Sequence, residues 1–523
     1  MPLDGLAIQP AHFTSFSVAS RAAMRVQGDP IVSRTLLSIG VLQLLVMLAS
    51  LVRAKVLSVL LGPEGVGIVS TLDQATVTVA QIAALGLPLT AMKFMARAHS
   101  ESAVEYRQTY AGFLQLIVGT SVVLVASIVF AIYQVPALIP RGLAPYRAYL
   151  WLALLGAPAF TLNILFVRTL AASGRSSAAG GLMAIQGIAV GVVAIGSAWV
   201  GGVAGLYEAN FVLGVLGIVG TTYWLSKRLD LSPFTRSSAA VRHLLRNAEI
   251  GRNAALTYIM LVAFAVTMLV TRYIALLEIG EAGTGRMQAQ MSIALSIGAL
   301  LAAFSGLHVA PLLNRNVSVS EKTATADRFL SLTLLTFAAG SLPILLFPDL
   351  VVRILYSSAF ISSATALVLF VLWQLLYQFN TILQQLLIGL DDLFVCTFAV
   401  VGGLALAIAL CIPLALRWHA AGVAVSLIAG TATTGAVMLA RLRSQHAYYP
   451  STRVSHRMLA GIGIAGTGIL VSFGPPELTG YGILLRATVA VVLLAGLLRL
   501  LAATERTQLS ELLTSWLPSA AGH

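Results

Sequence analysis

Charged side chains are scarce in this sequence. Only 10% of its 523 residues are Asp, Glu, Lys or Arg, whereas 58% are hydrophobic, and the mean hydropathy is +0.91. A soluble domain carries a charge at about a quarter of its positions. So few charges cannot cover a water-facing surface of this size. The composition therefore excludes a soluble globular protein and indicates that lipid surrounds much of the chain.

Cysteine and the common catalytic motifs are also scarce or missing. Cys396 and Cys411 lie fifteen residues apart in one apolar segment, a spacing that suits neither a metal site nor a redox pair. The sequence contains no HExxH, nucleophile-elbow or CxxC motif, and the glycine-rich stretch 62–67 lacks the Gly-Lys-Ser/Thr ending of a phosphate-binding loop. We therefore expect no enzymatic activity, no cofactor and no metal site.

Apolar runs long enough to cross a bilayer are abundant. A hydrocarbon core of ~30 Å requires about 20 apolar residues in a helix. The sequence contains fourteen such runs, named TM1 to TM14, and most of their connections are short. They are predicted near residues 35–60, 66–92, 108–133, 148–170, 180–200, 203–226, 252–276, 287–311, 328–347, 363–389, 393–416, 420–441, 457–473 and 480–502.

The sequence also repeats itself weakly. The glycine-rich stretch 62–67 matches 280–285, and Gly205 matches Gly422 at an offset that differs by a single position. Each offset spans an even number of predicted segments, so the two copies have the same orientation in the membrane. The sequence thus predicts an all-α integral membrane protein with about 14 transmembrane helices. Two pseudo-symmetric six-helix lobes surround a central cavity, and two extra helices follow them.

This repeat gives a division of the whole chain. We predict a cytoplasmic N-terminal tail at 1–34, an N-lobe of TM1–TM6 at 35–226, a basic cytoplasmic linker at 227–251, a C-lobe of TM7–TM12 at 252–441, TM13 and TM14 at 457–502, and a cytoplasmic C-terminal tail at 503–523.

Lys and Arg are distributed unevenly among the loops. If the N-terminus is cytoplasmic, most basic loop residues lie on the cytoplasmic side, a bias that predicts cytoplasmic termini at both ends. The net charge of +13 follows from this bias, so we do not expect nucleic-acid binding. The opposite side holds only Arg141, Arg147, Arg286, Arg353 and Arg417.

One predicted cytoplasmic loop is acidic instead of basic. It contains Asp391 and Asp392, directly before TM11. Carboxylates at the start of a helix accept hydrogen bonds from its unpaired N–H groups and favour its dipole. We therefore predict that these two side chains cap TM11.

Three basic residues lie inside predicted membrane segments. Arg53 and Lys55 fall in the outer part of TM1, and Arg272 falls in the outer part of TM7, the equivalent segment of the repeat. Such residues cost ~2.5–3.5 kcal/mol on insertion scales, so they are rare and face aqueous cavities. If the lobes pack face to face, the three residues converge on a central anion site, because arginine binds phosphate bidentately. The alternative is that each side chain extends to the outer headgroups.

Polar residues form stripes on three otherwise apolar segments, at helical spacings of three or four residues. Such stripes line a cavity or make hydrogen bonds between helices, and the sequence does not distinguish the two. The stripes are Gln74, Thr78 and Gln81 in TM2; Gln288, Ser292 and Ser296 in TM8; and Gln374, Gln378, Thr381 and Gln385 in TM10.

Asp73, just before the TM2 stripe, has two interpretations. It is a proton or cation site that couples transport to an ion gradient, or it is the salt-bridge partner of a nearby arginine. The complete candidate set consists of Asp73 for ion coupling and, for binding of an anionic substrate, Arg53, Lys55, Arg272, Gln74, Gln81, Gln374 and Gln378.

Several stretches resemble one known family. Residues 51–67, LVRAKVLSVLLGPEGVG, resemble the opening of polysaccharide flippases of the O-antigen type, which belong to the multidrug/oligosaccharidyl-lipid/polysaccharide (MOP) exporter superfamily. The resemblance continues in AALGLP at 83–88, PDLVVRILYSSAF at 348–360 and HAAGVAV at 419–425, and it covers roughly residues 35 to 445. Flippases of this group have fourteen helices, whereas drug-exporting relatives usually have twelve.

The resemblance implies a function. Such flippases move an undecaprenyl-pyrophosphate-linked oligosaccharide across the bacterial inner membrane for surface polysaccharide export, beside polymerase and export machinery. Arg53 matches by position a cavity arginine on TM1 of related peptidoglycan-precursor flippases, and Arg272 is a positional analogue in the repeat. The alternatives are a cation-coupled multidrug exporter of the same superfamily and a non-transporting scaffold for glycan assembly. A glycan polymerase is disfavoured because no predicted outside loop is long.

Overall fold

The computed structural model of this protein describes residues 30–135, 139, 141–229, 231, 238–313, 317–361, 364–472 and 479–500. Within these ranges the secondary structure is helical, without any β-strand. Most of the predicted N-terminal tail and all of the predicted C-terminal tail at 503–523 lie outside the described residues. Residues 30–34 of the predicted tail already belong to the first helix.

The helices follow one another with short connections. In chain order they are α1 (Pro30–Ala84), α2 (Leu87–Glu101), α3 (Ala103–Gln134), α4 (Arg147–Leu155), α5 (Ala157–Ala172), α6 (Ser176–Leu229), α7 (Ser238–Arg246), α8 (Ala248–Phe304), α9 (Ala310–Leu313), α10 (Val319–Leu346), α11 (Pro348–Leu355), α12 (Ala364–Gly389), α13 (Leu393–His446), α14 (Thr452–Ser472) and α15 (Gly480–Arg499).

By length and composition, ten helical stretches of the described chain qualify as membrane spans. Four of them, in α1, α6, α8 and α13, are 40 to 54 residues long, about twice what one crossing needs. Each of these four helices contains one residue with non-helical backbone angles: Gly62, Gly202, Gly280 or His419. Counted as two crossings each, they bring the total to fourteen, as the sequence predicted.

Contacts across these residues show that the chain reverses there. Arg53 and Asp73, on either side of Gly62, approach to 4.0 Å. Arg272 donates a hydrogen bond of 3.1 Å to Gln288 on the far side of the next such turn. In a straight helix, residues this far apart in sequence would be separated by about 24–30 Å. The two arms of α1 are therefore TM1 and TM2, and those of α8 are TM7 and TM8.

Two tight turns reverse α6 and α13 in the same way. Gly205 lies against the backbone of Ser197, and Gly422 lies against the backbone of Leu414. In each case a Cβ atom on the glycine would overlap that backbone, so the close return of the chain requires a residue without a side chain. The arms of α6 are TM5 and TM6, and those of α13 are TM11 and TM12.

The positions of the four turns repeat along the chain. The offset from Gly62 to Gly280 equals the offset from Gly202 to His419 to within one position. The three glycines have φ between 57° and 71°, a conformation that glycine adopts without steric cost. His419, at φ 50°, occupies the fourth turn as a non-glycine residue. The predicted repeat of two six-helix lobes is thus present as two matched pairs of hairpins.

The α1 and α8 hairpins pack against each other at their turns. Gly67 lies against the backbone of Glu281 and Gly285, and Gly285 lies against the backbone of Pro63 and Gly67. Because Gly67 and Gly285 occupy equivalent positions of the repeat, the contact is self-complementary across the pseudo-two-fold axis. We call this end of the bundle, where the hairpins turn, the hairpin end.

The outer surface of the bundle is apolar. Large hydrophobic side chains stand exposed on many helices, among them Trp199 at 75%, Val200 at 88% and Leu470 at 74%. Such a surface is stable in contact with lipid and not in water. Together with the ten apolar stretches, it identifies a multi-pass membrane protein.

The two extra helices, α14 and α15, are joined to each other by buried arginines. Arg457 of α14 donates a hydrogen bond of 2.7 Å to the carbonyl of Leu500 at the end of α15. Arg486 of α15 donates one of 2.5 Å to the carbonyl of Leu346, at the end of α10, and one of 3.3 Å to Val471 in α14. A cation at a helix C-terminus satisfies unpaired carbonyls and favours the helix dipole.

Candidate functional site: a basic cavity between the lobes

A cavity of about 320 Å³ lies between the α1 hairpin of the N-lobe and the α8 hairpin of the C-lobe. It is the central cavity that the sequence predicts. Its polar lining residues are Ser50, Arg53, Ser70, Asp73, Gln74, Arg272, Gln288, Ser292, Ser296 and Tyr356.

On the N-lobe side, Asp73 connects TM1, TM2 and TM6. Its carboxylate lies 4.0 Å from the guanidinium of Arg53 and accepts a hydrogen bond of 2.9 Å from the Tyr207 hydroxyl. The side chains of Arg53 and Asp73 are 27% and 44% exposed, so both remain accessible from the cavity. The geometry of Asp73 is therefore that of a salt-bridge partner. Because its side chain is partly exposed in the cavity, the carboxylate is also accessible to a cation or a proton.

On the C-lobe side, Arg272 is held in a fixed orientation. It donates hydrogen bonds of 3.1 Å to Gln288 and 3.0 Å to the carbonyl of Met268. Gln288 in turn donates one of 2.8 Å to Ser292. Since a guanidinium has five N–H donors, these contacts position the group without using all of its capacity. The residue itself is 6% exposed, at the edge of the cavity.

The charged side chains of the cavity lining are two arginines and one carboxylate, a formal excess of one positive charge. Arginine binds carboxylate and phosphate groups with two parallel hydrogen bonds, and such charge-assisted bonds are stronger than neutral ones. The arginines come from different lobes, so one bound anion would connect the lobes. The serines and the Gln288 amide add donors and acceptors suited to hydroxyl groups.

Lys55 does not line this cavity. Its ammonium group instead donates hydrogen bonds to the carbonyl oxygens of Arg353, at 3.0 Å, and Tyr356, at the end of α11. It therefore joins TM1 of the N-lobe to a helix end of the C-lobe. At the same end, the Tyr146 hydroxyl donates a hydrogen bond of 2.9 Å to Glu281 across the lobes.

The TM2 stripe divides between the cavity and the lobe interface. Gln74 lines the cavity and also donates a hydrogen bond of 3.2 Å to the carbonyl of Ala265 in TM7. Thr78, one turn further on, is buried and donates one of 3.1 Å to the same carbonyl. Gln81 is not part of the cavity lining.

The TM8 stripe lines the cavity with all three residues, whereas the TM10 stripe does not reach it. Gln374 and Gln378 are buried inside the C-lobe, where both amide groups lie against Gly298. Gln378 donates a hydrogen bond of 3.1 Å to the Gly298 carbonyl. These two side chains make contacts between helices, which was the other interpretation of the stripes.

Two tyrosines of the cavity region, Tyr207 and Tyr356, were not singled out from the sequence. Tyr207 belongs to TM6, which also carries Glu208, Asn210 and Tyr223, so a tyrosine there is a weak signal, and only the fold brings it to Asp73. Tyr356 follows the short helix α11 and reaches the cavity from outside any predicted segment.

The lobes also meet at the opposite end of the bundle, which we call the basic end. Glu249, at the start of α8, forms salt bridges of 3.2 Å with Lys93 and 3.3 Å with Arg97 of α2. Nearby, Gly86 lies against the backbone of Ala254 and Tyr258. The two lobes therefore contact each other on both sides of the cavity.

No cluster of three or more His, Cys, Asp or Glu side chains that could hold a metal ion occurs in the described part of the chain. Cys396 and Cys411 are both buried, and neither forms a disulfide. The apolar environment predicted for these thiols is therefore observed.

Comparison with known proteins gives matches among solved structures alone. No family model and no curated protein sequence matches this chain. One similar structure is the inward-facing conformation of a multidrug resistance MATE family transporter of the MOP superfamily, at 16% identity and a TM-score of 0.58, covering 82% of this chain and 99% of that one.

Two further structures have the same fold. A MOP superfamily transporter from Pyrococcus furiosus Vc1 is 15% identical with a TM-score of 0.60, covering 83% of this chain and 96% of its own. The lipid II flippase MurJ in an inward closed conformation is 13% identical with a TM-score of 0.56, covering 84% and 97%. The chain therefore has the fold of MOP superfamily transporters.

Proposed function

We propose that this chain is a MOP-type transporter that moves a polyprenyl-pyrophosphate-linked oligosaccharide across the bacterial inner membrane, for surface polysaccharide export. The observation that carries the proposal is the pairing of Arg53 and Arg272, from different lobes, in one central cavity. Undecaprenyl is the expected lipid carrier, and polymerase and export machinery are the expected partners.

An anionic headgroup accounts for the charge of the cavity. Keeping two arginines within apolar helices is costly, and a lone carboxylate balances only one of them. A pyrophosphate supplies the missing negative charge and accepts several hydrogen bonds from guanidinium groups. The cavity serines and Gln288 then face the sugar that follows the pyrophosphate.

Transport by alternating access requires the two ends to open in turn. At the hairpin end, the contact between Gly67 and Gly285 and the Lys55 hydrogen bonds must separate. At the basic end, the salt bridges from Glu249 to Lys93 and Arg97 must break. These two sets of contacts would break and re-form in turn as the lobes change between two packed arrangements.

Asp73 provides a counter-ion that the substrate displaces. In the structure its carboxylate faces Arg53 at 4.0 Å. A pyrophosphate on Arg53 would displace the carboxylate from that guanidinium, while the hydrogen bond from the Tyr207 hydroxyl could remain. Asp73 is therefore the proposed residue for coupling substrate binding to an ion. The membrane potential adds about 2.3 kcal/mol per charge per 100 mV.

A second candidate is a cation-coupled multidrug exporter. It is favoured by the 44% exposure of the Asp73 side chain, which would suit a cationic drug. The excess positive charge of the cavity opposes it. A drug exporter would change the drug sensitivity of the cell on deletion, whereas the flippase would change its lipid-linked glycans.

The experiment for the proposed function is flipping of a fluorescent polyprenyl-pyrophosphate oligosaccharide by the reconstituted protein. We expect movement in wild-type vesicles and none when Arg53→Ala and Arg272→Ala are combined. Arg417→Ala, which removes a cation that stacks on Trp418 outside the cavity, is the matched control. Failure of wild-type protein to move the lipid, with a pH gradient present, would refute the proposal.

A non-transporting scaffold is tested by the same variants in cells. If glycan export survives the double arginine substitution while the protein remains in the membrane, scaffolding replaces transport as the function. Reporter fusions at the two termini test the proposed cytoplasmic location of both, since an active periplasmic reporter at either terminus would contradict it.

A further inference from the structure

A second cavity, of about 480 Å³, lies inside the N-lobe among TM2, TM4, TM5 and TM6. Its lining is mostly apolar or glycine. The lining includes Asp73, Gly156, Ile185, Gly214, Leu216 and Gly217. Asp73 is also part of the central cavity, so the two cavities share one wall residue.

The C-lobe contains a smaller cavity at a related place in the repeat. It measures about 100 Å³ and lies among TM7, TM10, TM11 and TM12. The sequence offset that relates the turns at Gly202 and His419 relates the walls formed by TM4, TM5 and TM6 to those formed by TM10, TM11 and TM12. The fourth wall differs, because it is TM2 in the N-lobe and TM7, the equivalent of TM1, in the C-lobe. Trp373, Thr431 and Thr434 of the C-lobe correspond to Gly156, Gly214 and Gly217 of the N-lobe.

The C-lobe side chains fill their space by specific packing. The Trp373 indole N–H donates a hydrogen bond of 3.1 Å to the Thr431 hydroxyl. Its ring also packs against Phe370 and Tyr377, at centroid distances of 6.5 and 6.0 Å. The N-lobe therefore has glycine at three positions where the C-lobe has larger side chains, and of the three glycines Gly217 has open space around the position of a Cβ atom.

An unfilled apolar cavity of this size is unfavourable, because the side chains around it lose their packing contacts. Water does not fill it well, since it needs polar partners. The cavity is open towards the lipid-facing surface, where the lining residues Ile185 and Leu216 are 70% and 62% exposed. An apolar chain from the membrane would restore the packing contacts, needs no polar partners and can enter through this opening.

Several polar groups of the cavity lie at its junction with the central cavity, and Thr221 lies at the other end of the TM6 lining. Tyr207 donates its hydroxyl hydrogen to Asp73, and Asn210 lies one helical turn further along TM6. Gln186 donates a hydrogen bond of 3.0 Å to Asn163, so these two amides partly satisfy each other. From Leu213 onward, the TM6 lining is apolar or glycine up to Gly220.

We propose that the N-lobe cavity binds the isoprenoid chain of the substrate, next to its pyrophosphate. This inference rests on the proposed function. The two cavities match the two parts of such a molecule: the basic one receives the anionic headgroup, and the apolar one receives the chain that begins directly beside it. Their shared wall residue, Asp73, lies at the boundary between headgroup and chain.

The test is photolabelling of the purified protein with an isoprenyl pyrophosphate that carries a diazirine on its chain. We expect the label on peptides containing 182–190 and 207–221. In Gly217→Leu, a leucine occupies open space in the cavity, and labelling there should fall roughly tenfold. The matched control is Gly402→Leu, at an exposed glycine of TM11 that also faces open space, and it should label like wild type.

Three results would overturn the inference: wild-type label confined to other helices, undiminished labelling of Gly217→Leu, or equal labelling of these peptides by a diazirine fatty acid. The position of the label on wild-type protein tests the inference even if a variant does not fold.

Titration of inorganic pyrophosphate into the same proteins separates this inference from the proposed function. If wild type does not bind it, the proposed function fails. If wild type and Gly217→Leu bind it equally while the chain labels elsewhere, only this inference fails.

Discussion

The two lobes have one fold but are packed differently. Buried residues of the C-lobe form one continuous cluster from Met268 to Leu497, which includes α14 and α15, whereas those of the N-lobe divide into three smaller clusters among the described residues. The N-lobe cavity measures about 480 Å³, whereas the C-lobe cavity, which shares three repeat-equivalent walls with it, measures about 100 Å³. A duplicated fold can thus be closely packed in one copy and leave an open cavity in the other.

Removing Trp373 should have the largest effect on this difference. The side chain is 1% exposed and fills the C-lobe counterpart of the N-lobe cavity. Trp373→Ala should lower the free energy of unfolding by about 3–5 kcal/mol, because it loses buried area and leaves a cavity. Thermal unfolding in detergent measures the change. Trp199→Ala, at a residue that is 75% exposed, is the control and should be near neutral in stability.

The arginines of the central cavity should contribute the next largest effect, on binding instead of stability. A hydrogen bond to a charged group is worth roughly 1.5–3 kcal/mol, so Arg53→Ala and Arg272→Ala should each weaken pyrophosphate binding by about tenfold to a hundredfold. Calorimetric titration measures both. Comparable losses would show that both lobes hold the anion, and a loss for one arginine alone would assign binding to a single lobe.

The contact between the α1 turn and the α8 turn is expected to act as a gate at the hairpin end. Gly67→Ala places a Cβ against the Glu281 backbone, and overpacking of this kind costs about 1–3 kcal/mol. It should therefore favour opening of the hairpin end, measured as faster cysteine labelling of cavity positions. Gly196→Ala, with open space around its Cβ, is the control and should leave the labelling rate unchanged. Unchanged labelling in Gly67→Ala would mean that the turns are not a gate.

The smallest effect concerns Asp392, at the C-lobe side of the basic end. Its hydrogen bonds with Arg441, at 2.9 and 3.1 Å, and its contact with His446, at 2.8 Å, hold the pKa of the carboxyl below its ordinary value of 3.8. Because the pKa is lower in the folded than in the unfolded state, the ionised carboxylate stabilises the folded state at pH values above its ordinary pKa. This contribution is lost as the pH falls through the folded-state pKa. The melting temperature of Asp392→Asn should therefore be lower than that of wild type at neutral pH and should converge with it in strong acid.

Asp392 also shows where reasoning from sequence was wrong. The prediction was that Asp391 and Asp392 cap TM11, yet Asp392 occupies the N-cap position of α13 without a side-chain capping hydrogen bond. Its carboxylate turns instead to Arg441 and His446, at the other end of the same hairpin. A partner on the returning arm of a hairpin is invisible to local sequence rules, and hydrogen bonds from the Arg441 guanidinium to the carboxylate are stronger than those from backbone N–H groups.

The fold could be predicted because its signals are local. Each crossing is a run of about 20 apolar residues, and the hairpin turns carry glycines that tolerate positive φ. The offset of the repeat could be recognised from the match of 62–67 with 280–285. Both stretches keep their glycines because the turns of the two copies contact each other there. His419, a turn without glycine, had no such signal of its own.

The site could be predicted only in part, because helical geometry decides which neighbours share a face. Lys55 follows Arg53 by two residues, which places it about 200° around the helix, away from the cavity. Gln81 does share a face with Gln74, but it lies about 10 Å further along TM2. Gln374 faces Gly298, and the space left by that glycine emerges only when TM8 and TM10 pack together.

The most direct test of the central claim is mass spectrometry of membrane lipids after depletion of this protein. The proposed function predicts that one polyprenyl-pyrophosphate-linked oligosaccharide accumulates, and that re-expression of wild type clears it while the Arg53→Ala, Arg272→Ala double variant does not. Lipid-linked glycans that stay unchanged on depletion, or that are cleared equally well by the double variant, would contradict the claim.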